Sequence, residues 1–176
     1  MSKKNKSSRN LYLIILLVAV VGLAIYFLLR SGSEPEISTQ PEAMNIPFRK
    51  QGELIFTSHQ NGDTLAGIEI EVANNDQLRA RGLMYRRSLP ENAGMLFLQR
   101  TEEMQSFWMK NTYIPLDIIF VDANKEIVTI HINTTPLKEW NYASTKPALY
   151  VVEVNTGFAN RHGISIGDKI EFTIPK

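Results

Sequence analysis

The 176-residue sequence contains no cysteine. That absence excludes disulfides, thiolate metal sites, a cysteine nucleophile and a lipidated N-terminal cysteine. Histidine is scarce. His59, His131 and His162 stand apart, with no H-x-x-x-H or similar ligand spacing, so no metal site is expected. No glycine loop is suited to cradling phosphate, because Gly157 and Gly163 lie too far apart. Ser144 lacks the Gly-x-Ser-x-Gly elbow of a serine hydrolase. No cofactor follows from what remains. None of the 18 acidic residues occurs before Arg30.

The N-terminal region carries a different signal. Leu11 to Leu29 is an unbroken uncharged apolar run, preceded by Lys3, Lys4, Lys6 and Arg9 and followed by Arg30. At about 1.5 Å per helical residue it approaches the ~30 Å hydrocarbon thickness of a bilayer. The excess of positive charge on its N-terminal side places the N-terminus in the cytoplasm and the remainder outside. The expectation is therefore a single-pass protein of the cytoplasmic membrane, with its domain periplasmic or extracellular. Ser31-Gly32-Ser33 offers the alternative of a cleaved signal peptide. The formal charge of +1 hides an asymmetry: beyond Arg30, fourteen basic residues face eighteen acidic ones, a net −4. A mildly acidic domain is a poor binder of nucleic acid, and none is expected as a partner.

Composition divides the chain into a basic N-terminus (1–10), a transmembrane helix (11–29), a tether rich in Ser, Pro, Glu and Gln (30–48) and a globular domain (49–176). In that domain Leu54-Ile55-Phe56 reads as a strand. Asn61-Gly62-Asp63 reads as a turn into a strand whose Ile68, Ile70 and Val72 face inward while Glu69 and Glu71 face water. Asn74-Asn75-Asp76 caps a helix expected over Gln77 to about Arg86. Further strands are expected at 94–98, 117–121, 126–132, 148–154 and 166–174, with the 148–154 strand apolar on both faces and so central. Many short strands and one main helix predict a β-rich α+β fold: a small barrel-like or strongly bent antiparallel sheet.

The candidate site residues are polar groups set among core-like neighbours, where each must be paired or cost roughly 1–3 kcal/mol. On a helical projection Arg81 falls on the arc of Leu78, Met84 and Tyr85, while Arg79 and Arg86 fall on the wet side. A buried guanidinium keeps its charge, so Arg81 is expected to meet a carboxylate. Asp117 and Glu153, both in apolar strands, are the expected partners. Trp108, Lys110 and Asn111 supply an aromatic platform, a cation and an amide. Asp168, in the turn Gly163 to Asp168, is expected to hydrogen-bond that turn.

In this order, Arg81-Gly82-Leu83-Met84, Gly94-Met95-Leu96-Phe97, Trp108-Met109-Lys110-Asn111-Thr112, Pro115-Leu116-Asp117 and Gly167-Asp168 resemble the bacterial and archaeal family "domain of unknown function 192". The resemblance runs from about Ile68 to the C-terminus. It implies a compact β-rich, barrel-like domain, often exported or membrane-tethered, and no established activity. Three readings follow. The first is a binding module in which Arg81, Trp108, Lys110, Asn111, Asp117 and Glu153 take a small polar or anionic envelope ligand. The second is an acid–base enzyme using Asp117 and Glu153. The third is an accessory protein that binds another envelope protein.

Overall fold

A computed structural model describes residues 6–30 and 46–175. The chain divides into two compact units, one within residues 1–40 and one within residues 41–176. The first holds helix α1 (Lys6–Arg30). The side chains described on it, residues 12–27, are exposed. Among the described residues no helix is long and apolar enough to cross a membrane. The expected span over Leu11–Leu29 is therefore unsupported by the described residues. Most of the expected tether, residues 31–45, lies outside the described residues.

The second unit is built from β1 (Gly52–Thr57), β2 (Thr64–Ala73), α2 (Asp76–Arg81), β3 (Ala93–Glu103), β4 (Ser106–Phe107), β5 (Leu116–Val121), β6 (Ile127–His131), β7 (Tyr142–Ala143), β8 (Ala148–Asn155), α3 (Phe158–Arg161) and β9 (Lys169–Thr173). Seven strands form one sheet in the order β6-β5-β8-β3-β2-β1-β9, and β4 pairs with β7 separately. The strand apolar on both faces, β8, lies between β5 and β3. One core cluster, including Ile68, Ile70, Leu96, Ile119 and Val152, covers one face of the sheet. A second, including Met95, Phe97, Ile118, Phe120 and Val151, covers the other. Alternation along the strands assigns these sets to opposite faces.

The sheet corrects two expectations. It is mixed rather than purely antiparallel, because β2 and β3 run parallel. The crossover between them carries α2, where a helix was expected, but the direction in which the strands on either side of it pair is set by the sheet and not by the helix signal. Nor is the sheet a closed barrel. Its outer strands meet only at the isolated bridge Glu126↔Lys169, supported by Ile127 N–H to Asp168 O at 2.7 Å and Ile170 N–H to Lys125 O at 3.0 Å. No ladder follows, so the sheet bends towards itself without sealing.

Helix α2 is shorter than expected. Asn75 caps it by accepting the Leu78 N–H at 2.9 Å. Gly82, at φ +47°, takes the chain out of the helix, its N–H reaching Leu78 O at 2.8 Å. The projection that placed Arg81 on a buried arc counted residues beyond Gly82 that are not helical. Arg81 is in fact exposed, and Arg86, expected in water, is buried. Its guanidinium pairs with Glu71, which is also buried although it was expected on the wet face of β2. Glu71 accepts the Arg49 N–H as well, at 2.8 Å. Arg86 Nη1 has no hydrogen-bond partner among the described residues.

Asp168 does hold its turn. It accepts the Ser165 N–H at 2.7 Å and hydroxyl at 3.0 Å, and it binds His59 through the backbone N–H at 2.9 Å and through Nδ1 at 2.7 Å. Burial alone would raise this carboxyl. The hydrogen bonds from His59 and Ser165 outweigh burial and hold its pKa below the ordinary aspartate value.

Candidate functional site: an aromatic cleft over a buried carboxyl

A cleft of about 360 Å³ opens beside the second core. Small-molecule sites occupy roughly 300–1,000 Å³, so its size suits a small ligand. The turn Arg81 to Met84, which exists because Gly82 ends α2, borders it, as do β4 and Trp108. Phe97 of β3 and Glu153 of β8 also border it, and they lie on the same face of the sheet. Phe97 meets Phe107 edge-to-face at 5.0 Å, which fixes an aromatic lining.

Gly82 governs the space. A Cβ at this position would lie 3.2 Å from Phe97 Cζ and 3.8 Å from Glu153 Oε2. With its left-handed φ as well, Gly82→Ala is expected to lower stability by about 1–2 kcal/mol, read as a lower urea midpoint. An unchanged midpoint would show that the turn yields freely and sets no dimension of the cleft.

Glu153 is 5% exposed, and its carboxyl has no hydrogen-bond partner among the described residues. Burial raises its pKa to about 8, so near neutrality the group is a protonated acid that can both donate and accept. The expected Arg81–Glu153 or Arg81–Asp117 ion pair is absent among the described residues. Arg81 borders the cleft with no ion-pair partner there, unlike Arg79, whose guanidinium is committed to Asp76 and to Leu98 O at 2.8 Å.

Of the six residues singled out in the sequence, Arg81, Trp108 and Glu153 border this one cleft. Lys110 lies beside it, its Nζ 5.0 Å from the Trp108 ring centroid and 3.4 Å from Glu139 Oε2. Asn111 does not border it. In a left-handed conformation, its side-chain amide donates to the Tyr85 hydroxyl at 2.9 Å, while its carbonyl accepts the Tyr85 N–H at 2.7 Å. Asp117 is fully buried elsewhere and meets no arginine. Its carboxylate accepts the N–H groups of Asn133 at 2.9 Å, Gly157 at 3.1 Å and Ala159 at 3.0 Å. It ties the start of β5 to two loops.

Sequence reasoning missed Gly82, Phe97 and Phe107 as cleft residues. The first two belong to the segments Arg81 to Met84 and Gly94 to Phe97 that carry the family resemblance, which was the available signal. Ser144 is structural, exchanging hydrogen bonds with Gln105 at 2.9 Å in both directions. Among the described residues no group of three His, Cys, Asp or Glu side chains is placed to hold a metal ion.

Comparison with known proteins agrees with the motif set. The DUF192 family, described as "Uncharacterized ACR", matches residues 57–172. A UPF0127 protein of Pyrococcus furiosus is 31% identical over 108 residues, covering 60% of this chain and 87% of its own. A protein of unknown function from Novosphingobium aromaticivorans superposes with a TM-score of 0.64 at 39% identity, over 68% of this chain and 83% of its own. A candidate transcription regulator from Sinorhizobium meliloti gives 0.67 at 35% identity, over 72% and 98%.

Proposed function

The chain belongs to the DUF192 family, and from that premise and the cleft we propose that its domain binds a small polar or anionic ligand. The observation that carries this reading is the pairing, in one aromatic cleft, of a cation with no ion-pair partner and a buried carboxyl with no hydrogen-bond partner. An exposed guanidinium attracts an anionic group. A neutral Glu153 donates a hydrogen bond where a carboxylate would repel. Phe97, Phe107 and Trp108 supply the apolar surface that gives a small ligand most of its affinity. The same reading places the domain outside the cytoplasmic membrane, anchored by the uncharged run Leu11–Leu29, with the basic residues before it holding the N-terminus inside.

A panel of benzoate, 4-hydroxybenzoate and glucuronate tests the cleft by thermal shift. At least one of these probes is expected to raise the melting temperature of the wild type. Arg81→Gln, an exposed substitution, should leave the unliganded melting temperature in place and weaken binding about tenfold or more, because hydrogen bonds to charged groups are worth about 1.5–3 kcal/mol. Equal responses from wild type and Arg81→Gln, or none from either, would remove the reading.

One observation favours a second reading, acid–base catalysis. A carboxyl with a pKa of about 8 is suited to proton transfer near neutral pH. In that reading Glu153 acts without Asp117, which is bound by three backbone N–H groups and does not border the cleft.

A further inference from the structure

Two loops, residues 108–112 and 132–140, are stitched together. Met109 N–H donates to Lys138 O at 2.9 Å, Leu137 N–H to Thr112 O at 3.1 Å, and Lys110 Nζ lies 3.4 Å from Glu139. Their base is held by Asp117 through the Asn133 N–H, and by Thr134, whose N–H reaches Leu116 O at 2.9 Å. This hydrogen-bonded pair of loops turns apolar groups outward. Trp108 is 44% exposed, Ile132 49%, Leu137 53% and Trp140 53%. Leu137 sits at φ +62°, a strained backbone that holds a large apolar side chain in solvent. Clustered exposed apolar groups mark an interaction surface.

The cations identify the partner. Lys110 Nζ lies 5.0 Å from the Trp108 ring centroid, and Lys138 Nζ lies 5.6 Å from that of Trp140. Indoles with adjacent ammonium groups suit the boundary between lipid headgroups and acyl chains, where the ring is half in water and the charge meets anionic headgroups. Chain length adds to this. Sixteen residues, 30–45, separate the apolar run from the first described residue of the domain, and they span at most ~55 Å when fully extended. A domain so confined meets its own bilayer at high effective concentration, so a weak surface contact suffices.

We infer that Trp108, Trp140, Leu137 and Ile132, with Lys110 and Lys138, form a surface that seats the domain on an anionic bilayer. The inference rests on the membrane-anchored reading above. It sets the mouth of the cleft, which Trp108 also borders, beside the lipid headgroups.

The test uses the only two tryptophans of the chain. The full-length protein and its Trp108→Phe and Trp140→Phe variants are reconstituted in equimolar phosphatidylcholine and phosphatidylglycerol, with acyl chains brominated near the carbonyl or left unmodified. Flotation reads the anchor, and quenching of indole emission by bromine reads the surface. Bromolipid is expected to cut emission from each remaining tryptophan by roughly half, as for residues at the headgroup boundary. Lys110→Glu with Lys138→Glu is expected to abolish quenching while flotation persists. Protein that floats with unquenched tryptophans overturns the surface and leaves the anchor standing; this includes indoles shielded from aqueous iodide by another protein. Protein that fails to float, yet is quenched by added vesicles, keeps the surface and loses the anchor. Neither flotation nor quenching defeats both.

Discussion

Between pH 4.5 and about 8 the folded state is expected to lose stability through Glu153 as the pH rises, on the order of 1 kcal/mol per pH unit, and Glu153→Gln is expected to remove that slope. The sign follows from proton binding. In the unfolded chain Glu153 ionises near 4.5, while in the folded protein burial keeps it protonated until about 8. Between those values the native state holds the extra proton, so raising the pH favours unfolding. The contribution is complete below the unfolded pKa, falls through the window and is gone above the folded pKa. Glutamine has nearly the same shape and no charge, so the variant should match the wild type near pH 4.5 and exceed it increasingly towards pH 8. Urea midpoints of both proteins at several pH values measure this directly. Asp168 does not confuse the result. Its pKa lies below the ordinary value, so its contribution is present above the unfolded pKa and is lost only as the pH falls through the folded one. Parallel pH profiles for wild type and variant would mean that Glu153 is solvated, and the neutral donor at the cleft would be lost with it.

The second large effect lies at Asp117. Asp117→Ala is expected to cost about 3 kcal/mol or more, a large share of the stability of an ordinary domain. The carboxylate accepts three backbone N–H groups from two loops, and alanine leaves all three without an acceptor inside the protein. An unmade buried hydrogen bond costs about 1–3 kcal/mol, and the three are not additive because the loops relax together. Asp117→Asn keeps one acceptor oxygen and should fall between. The contrast is Arg81→Gln, exposed and without an ion-pair partner among the described residues, which is expected to change stability by less than about 0.5 kcal/mol. Denaturation curves for the three variants decide the matter. An Asp117→Ala protein as stable as the wild type would show that the loops find other acceptors. The loop base at Asn133 would then also stop explaining how Leu137 and Trp140 are held outward.

Much of this architecture was legible in the sequence. Alternating Ile68, Ile70 and Val72 located β2, the run through Val151 to Val154 located a central strand, and Asn75 announced the start of α2. These are local signals, since period and capping depend on neighbours in the chain. Arg81 and Arg86 show where local reading ends. A helical projection ranks them correctly only while the helix continues, and Gly82 stops it after Arg81. Glu71 looked wet because it alternates with apolar residues. It is buried because the segment carrying Arg86 lies over that face and supplies a counter-charge. The parallel pairing of β2 with β3 went unseen for a similar reason: only the paired strands reveal the direction of a short crossover.

By itself the sequence determined the composition limits, the uncharged run at the N-terminus, the β-rich class and the family, because each rests on residue type and short-range order. It also named Arg81, Trp108 and Glu153, but within a set of six that wrongly included Asp117 and Asn111 and with an ion pair to Arg81 that does not form among the described residues. Only the tertiary structure decided that Arg81, Trp108 and Glu153 border one cleft, that Asp117 serves two loops instead of an arginine, and that the buried ion pair is Arg86 with Glu71. The physical reason is that desolvation of a charge depends on what packs against it, and that packing comes from segments distant in the chain.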